Sequence, residues 1–263
     1  MSVLSIITVN YNDADGLYKT LNSIDKALSK YKSKYELYVI DGGSKDDSLN
    51  VIKEYENIIN DYISEKDNGI YDAMNKGLSY VSGDFLLFLN SGDYFNIGAN
   101  IDSLFNEIEY NKDMVIFWSA YIKSVHINWY FPPLNVDIKK WSGENLPNHQ
   151  AMLFPKKFFI SNQYDLNMKI NSDADYKLRA IKMCGIYYIP FSFTSFEIGG
   201  LSSQKLTWSN YKIRLKDIYV FESKHNNGVM KYKHMMISFC KYTFKLIASN
   251  LLSDKLYIKI LKK

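Results

Sequence analysis

Asp67-Asn68-Gly69-Ile70-Tyr71-Asp72-Ala73-Met74-Asn75-Lys76-Gly77 leads on to Phe88-Leu89-Asn90-Ser91-Gly92-Asp93. The first segment opens as a polar loop and continues as a short helix, with Ala73, Gly77, Leu78 and Val81 at helical spacing. Phe85 to Leu89 is an unbroken apolar run, the pattern of a strand buried on both faces, and it stops at Asn-Ser-Gly-Asp. An acidic residue where a strand runs out is where open α/β sheets place ligand chemistry. Loop, helix, buried strand and acid, in that order, make a metal and a diphosphate the ligands to expect.

Outward from this block the same alternation repeats. Leu4 to Val9 reads as a buried strand broken by Asn10-Tyr11-Asn12-Asp13, and Leu17, Leu21, Ile24 and Leu28 then recur at helical spacing. Leu37-Tyr38-Val39-Ile40 is a second buried strand ending at Asp41. Gly42-Gly43-Ser44-Lys45-Asp46 turns into a helix lined by Leu49, Ile52 and Tyr55. Beyond Asp93 the pattern predicts a helix over 99–110, a strand from Met114 to Ser119, and an irregular stretch over 120–148 holding Trp129, Pro132, Pro133 and Trp141. A strand over Ala151 to Phe154, a helix over 173–184 and a strand from Ile186 to Phe191 follow. Strands alternating with helices of this length mean βαβ units and a doubly wound, mostly parallel sheet flanked by helices.

Composition sets the outer limits. The chain has 263 residues, 47% of them apolar, which suits one large α/β domain with a C-terminal appendage and excludes a disordered chain. No run of about 20 apolar residues exists to span a bilayer, and strand-forming sequence from Val3 leaves no signal peptide to expect. Cys184 and Cys240 fall in predicted helices without metal-ligand spacing and read as reduced, partly buried thiols. Charge is divided unevenly: residues 204–263 carry 13 Lys/Arg against 3 Asp/Glu, and residues 1–203 are net −6. No nucleic-acid-binding motif accompanies the basic segment, so no nucleic-acid partner is expected.

Each strand of the first half ends in polar residues, Thr8 with Asn10, Asp41, and Asn90 to Asp93, and in a doubly wound sheet these ends share one crevice. Thr8 either satisfies its strand end or faces the ligand. Asp41 either accepts from a uracil N3–H or ribose hydroxyl or bonds the Gly42-Gly43 turn. Asp93 either ligates a divalent cation, which prefers hard oxygen ligands, or closes a turn. A dinucleotide G-x-G-x-x-G fingerprint and a Walker A lysine motif are both absent, which removes support for nicotinamide and ATP readings.

The segments Ser5 to Asn10, Val39 to Ser44, Asp67 to Gly77 and Phe88 to Asp93 resemble bacterial family 2 glycosyltransferases with the GT-A fold, and most of all the group that builds colanic acid, O-antigen and capsule repeat units. The resemblance covers most of 1–203, with a nucleotide-binding half (1–95) and an acceptor-binding half (96–203). It implies an inverting hexosyl- or N-acetylhexosaminyl-transferase that uses a nucleoside-diphosphate sugar donor, Mg2+ or Mn2+, and a polyprenyl-diphosphate-linked glycan acceptor. It places Thr8, Asn10, Asp41, Asp67, Asn68, Lys76, Asn90 and Ser91 on the donor nucleotide and Asp93 on the metal. The family's Asp-x-Asp reads Asn90-Ser91-Gly92-Asp93 here, so Asp93 alone supplies a carboxylate. The family's Asp-Asp-Gly-Ser turn reads Asp41-Gly42-Gly43-Ser44.

Inverting transfer needs a carboxylate across the donor sugar from the diphosphate, to take the acceptor's proton. Ser172-Asp173-Ala174-Asp175-Tyr176 opens a helix and offers two. Resemblance to the family's acid, aromatic and Leu puts the base on Asp175, followed by Tyr176 and Leu178, with Asp173 as helix cap or alternative base. Asn148-His149-Gln150 and Gly199-Gly200-Leu201-Ser202 also match the group. The first supplies His149 to the sugar or acceptor, and the second is either a lid over phosphate or a plain turn. In the tail, Met235, Phe239, Tyr242 and Leu246 share a helical face with Lys241 and Lys245 opposite. This face either docks on an anionic membrane surface, the cytoplasmic face of the inner membrane, or packs on the catalytic domain.

Overall fold

The computed structural model describes residues 3–137, 147–198, 206–253 and 256–257. Trp141, the Gly199–Ser202 segment and Asp254 lie outside them. The elements follow in the order β1 (Leu4–Asn10), α1 (Ala14–Leu28), β2 (Tyr35–Asp41), α2 (Ser48–Glu54), β3 (Asp61–Ser64), α3 (Ile70–Leu78), β4 (Phe85–Phe88), β5 (Tyr94–Phe95), α4 (Ile101–Tyr110), β6 (Val115–Trp118), β7 (Ala120–Lys123) and β8 (Trp129–Phe131). They continue with β9 (Met152–Pro155), α5 (Lys156–Phe159), α6 (Ser172–Cys184), β10 (Ile186–Ile189), β11 (Thr194–Glu197), α7 (Trp208–His225) and α8 (Gly228–Leu251).

Seven strands form the main sheet in the order β10-β6-β9-β4-β1-β2-β3, parallel except where β9 runs against both β4 and β6. The fully apolar strands take its centre because both of their faces are covered by helices. Leu17, Leu21, Ile24 and Leu28 bury one stripe of α1 on one face of the sheet, and Tyr71, Ala73 and Met74 bury α3. Gly77 lets α3 come close: a Cβ there would lie 2.8 Å from Ile7 Cγ2. The strand order puts the carboxyl ends of β1, β2 and β4 side by side.

A second sheet, β5-β11-β7-β8, occupies part of the stretch expected to be irregular. Fully buried Trp118 ties it to the first: its Nε1 donates to Thr194 Oγ1 at 2.8 Å, and that hydroxyl donates to the Gln150 carbonyl at 2.9 Å.

The basic C-terminal segment is a pair of packed helices. Leu206, Tyr211 and Leu246 form their shared core with Leu215 and Tyr242, and the Tyr211 and Thr243 hydroxyls bond at 2.8 Å. Of the face read as either membrane-docking or packed on the domain, Tyr242 and Leu246 pack on α7, while Phe239 stays exposed. A different stripe of α8 (Val229, Met236, Phe244, Ile247, Leu251) stays exposed. Cys240 is also exposed, unlike Cys184, which corrects its expected partial burial. Among the described residues, no helix is long and apolar enough to cross a membrane.

Candidate active site

Three strand ends are knotted by one side chain. Asn10, ending β1, donates from Nδ2 to Asp41 Oδ1 at 2.8 Å, and its Oδ1 accepts from Ser91 Oγ at 2.6 Å. Asp41, ending β2, receives five hydrogen bonds: from Asn10, from the backbone N–H groups of Gly43 and Ser44, and from the hydroxyls of Ser44 and Ser64. Burial would raise this carboxyl, but the donors from Ser44, Ser64 and Asn10 outweigh it and hold the group below the usual carboxylate range. Of the two roles open to Asp41, organising the turn is the one these contacts serve.

Asp67 enters the same turn. Its Oδ1 accepts from Gly69 N–H at 2.9 Å, and its Oδ2 lies where a Cβ on Gly42 would come within 2.5 Å. The Asp67 carboxylate thus lies directly against Gly42. Asn68 and Lys76 belong to local structure: Asn68 donates to Asp72 from both its backbone and its side chain. Lys76 pairs with Glu65 at 2.7 Å, which holds its ammonium pKa up. Thr8 is fully buried, and its Oγ1 has no partner among the described residues.

Asn90 looks across the crevice. Its Nδ2 lies 3.2 Å from His149 Nε2, while its Oδ1 is buried and unpartnered among the described residues. Asp93 does not share this position. It is 6% exposed, its carboxylate faces Gln150 Nε2 at 3.4 Å, and its backbone carbonyl accepts from Thr20 Oγ1 at 2.7 Å. Burial pushes the Asp93 carboxyl up to about 8 despite the Gln150 hydrogen bond. Mg2+ and Mn2+ call for hard oxygens that the ligand can reach, and this carboxyl is enclosed and turned to Gln150. Among the described residues no three His, Cys, Asp or Glu side chains converge to hold a metal. The expected ligation by Asp93 therefore does not fit this donor set, and Asn90 Oδ1 is the unpartnered oxygen left at the strand end.

The opposite wall is the first turn of α6. Residues two apart on a helix point about 200° from each other, which separates the two candidate bases. Asp173 faces the crevice: its carboxylate lies 4.0 Å from His149 Nδ1, 2.9 Å from Lys177 Nζ and 3.5 Å from the Tyr71 hydroxyl, with 28% of its side chain exposed. Burial would raise this carboxyl, but the Lys177 ammonium, with the neighbouring His149, prevails and holds it well below the usual range. Asp175 faces α7. Its side chain is 0% exposed, and it is paired with Arg179 at 2.9 Å, Lys224 at 3.0 Å and His225 at 2.7 Å. A proton acceptor has to touch the hydroxyl it deprotonates, and Asp175 is sealed behind Arg179, Lys224 and His225. The expectation that Asp175 is the base thus meets a physical obstacle that Asp173 does not.

Asn90, His149 and Asp173 so form a continuous polar path from strand end to α6, over an aromatic floor. Tyr71 stacks on Tyr164 at 5.4 Å, Tyr164 stacks on Tyr176 at 4.1 Å, and Phe88 meets Tyr164 edge-on. Lys177 escaped the sequence reading although its i+4 spacing from Asp173 marks an ion pair.

Residues 5–173 match glycosyl transferase family 2, well over half of the chain. The chain belongs to glycosyltransferase family 2. A family relative in Mycobacterium tuberculosis, described as an uncharacterized glycosyltransferase, is 32% identical over 206 residues, 77% of this chain and 78% of that one. A PGL/p-HBAD biosynthesis glycosyltransferase of Mycobacterium bovis is 25% identical over 209 residues, 76% of this chain and 79% of that one. The crystal structure of Staphylococcus aureus TarS residues 1–349 in complex with UDP-GlcNAc superposes with a TM-score of 0.70 at 17% identity, covering 95% of this chain and 74% of that one. At that identity the likeness shows the fold, and the fold of this family 2 glycosyltransferase is GT-A. The family match ends at Asp173, whereas the structural likeness extends into the C-terminal helices.

Proposed function

We propose that this family 2 glycosyltransferase moves a sugar, with inversion, from a nucleoside-diphosphate sugar to a hydroxyl of a growing lipid-linked surface glycan of the O-antigen, capsule or exopolysaccharide kind. The observation that carries the reading is Asp173, an ionised and partly exposed carboxylate on the wall facing the strand-end crevice. The acceptor oxygen attacks the anomeric carbon as that carbon's bond to the diphosphate oxygen breaks. Asp173 takes the hydroxyl proton, and the nucleoside diphosphate departs. His149 and Lys177 hold Asp173 in place and charged, and His149 passes its other nitrogen to Asn90. Asp67 and Asn10 line the nucleoside side. The TarS complex with UDP-GlcNAc and the relative named for PGL/p-HBAD biosynthesis support a sugar-nucleotide donor and a glycan-building role. The family resemblance implies Mg2+ or Mn2+; the enclosed Asp93 carboxyl, turned to Gln150, does not fit a carboxylate-held cation at the end of β4.

A thermal-shift panel of UDP-, GDP- and dTDP-sugars identifies the donor, after which transfer to a lipid extract is measured for Asp173→Asn. Loss of transfer with donor binding kept is the expected result, and near-wild-type transfer would overturn the assignment. A second reading, a sugar-nucleotide-binding scaffold with weakened catalysis, draws on Asn90 standing at the end of β4 where the family has its first Asp. It requires that the wild-type protein bind a nucleotide sugar yet transfer nothing.

The exposed stripe of α8 supports a peripheral position on an anionic membrane. Val229, Met236, Phe244, Ile247 and Leu251 supply apolar area, and the flanking lysines supply charge. Retention of an α8 variant carrying Phe244→Glu and Ile247→Glu on anionic vesicles would remove that support.

A further inference from the structure

The turn that carries Asp173 is held from outside the region matched to the family. Asp217, in the middle of α7, is fully buried. Its Oδ1 accepts from Lys169 N–H at 3.2 Å, and its Oδ2 accepts from Ile170 N–H at 2.6 Å and Asn171 N–H at 3.0 Å. Three consecutive backbone donors on one carboxylate fix the path of the chain at the point where it enters α6. Asn171 is the residue before α6, and its side chain makes no cap, so the Asp217 carboxylate is what anchors the helix entry.

The other side of the same turn is tied to the donor half. Ile170 offers its carbonyl to the Tyr71 hydroxyl at 2.6 Å, and Tyr71 comes from the 67–77 block. The turn is therefore clamped between α3 and α7, with Asp173 in the first helical turn beyond it. A second set of contacts holds α7 on α6: Asp175 pairs with Lys224 and His225, and Lys224 also reaches Asp165 at 3.3 Å. These contacts explain what Asp175 does in a helix whose partly exposed acid is Asp173.

We infer that Asp217 is a positioning residue for catalysis, acting through the 169–171 turn to hold the Asp173 carboxylate against the acceptor hydroxyl, so that the C-terminal helix pair completes the acceptor side of the site. The inference rests on Asp173 being the base. Misplacing a reacting group by about 1 Å costs on the order of 100-fold in rate, and releasing this turn moves Asp173 without touching the strand-end crevice.

The test is Asp217→Asn in the full chain, with Lys216→Gln, an exposed neighbour, as control. Two readouts are taken: amide hydrogen exchange at Lys169, Ile170 and Asn171, and kcat beside donor Kd for the nucleotide sugar chosen by the thermal-shift panel. The expected result is faster exchange at those three amides, kcat lower by about 10- to 100-fold, and donor Kd within about twofold of wild type, as expected for a change confined to positioning. Faster exchange with unchanged kcat would overturn the inference, as would a parallel loss of kcat and donor affinity. If Asp217→Asn does not fold, Asp217→Glu, which keeps the charge and displaces the turn by one methylene, has to show the same split between kcat and Kd. The two layers separate cleanly. An active Asp173→Asn sinks the assignment of the base. An inactive Asp173→Asn beside a fully active Asp217→Asn sinks only this inference.

Discussion

The two walls of the crevice are built in opposite ways. On the donor wall, polar side chains satisfy one another at the ends of adjacent strands: Asn10 joins Asp41 to Ser91, and Asp41 is filled by neighbours from its own turn and from β3. On the acceptor wall the key group is set from a distance, with Asp173 aimed by His149, Lys177 and a turn anchored on Asp217. The donor wall is tied strand to strand by direct side-chain hydrogen bonds. The acceptor wall depends on how α7 sits. Substitutions should therefore change binding when made on the first wall and rate when made on the second.

The largest effect that would break this contrast is on Asp173 itself. Asp173→Asn is expected to lower kcat by about 10²- to 10⁴-fold, the usual contribution of a positioned base, with donor affinity kept. Next is Asp67→Ala, which removes the carboxylate beside Gly42. Calorimetry with the panel-selected nucleotide sugar should show affinity weaker by about tenfold or more, with little loss of kcat at saturation. A variant that lost kcat and kept affinity would place Asp67 on the wrong wall.

Asp93 gives a stability test of its own. Its folded pKa is raised, so the fold binds its proton more tightly than the unfolded chain does. The stability tied to that proton is full below about pH 4 and is lost as pH rises toward about 8. The thermal midpoint of Asp93→Asn relative to wild type should then rise between pH 5 and pH 8.5, by several degrees. An Mn2+ titration of activity should be left unmoved by the same substitution; a tenfold higher Mn2+ requirement would restore Asp93 as a ligand. The smallest expected change is in a pH profile. Lys177 lowers the Asp173 carboxyl, so Lys177→Met should move the acid limb of kcat/KM to higher pH. A limb that stays put or moves down would remove Lys177 from the base's environment.

Much of the donor wall was legible because its strands are apolar on both faces and end abruptly in polar residues, as at Val9-Asn10 and Ile40-Asp41. β3 was missed because it is an edge strand whose residues are mostly exposed, and β7 and β8 because Pro132 and Pro133 disguise a short antiparallel pair. The choice between Asp173 and Asp175 was not legible. Both fit a helix N-terminus, and only the packing of α7 decides which one it covers. Asp217 carries no local signal at all, since its partners lie about 47 positions upstream in the chain. α8 misled for a further reason: it has two apolar faces, and periodicity alone does not say which one meets α7.

The most direct test compares Asp173→Asn with Asp175→Asn in single-turnover transfer at saturating donor. If the acceptor wall works as described, Asp173→Asn loses about 100-fold or more and Asp175→Asn stays within about tenfold of wild type while melting at lower temperature. The reverse order, with Asp175→Asn inactive and Asp173→Asn near wild type, would contradict it.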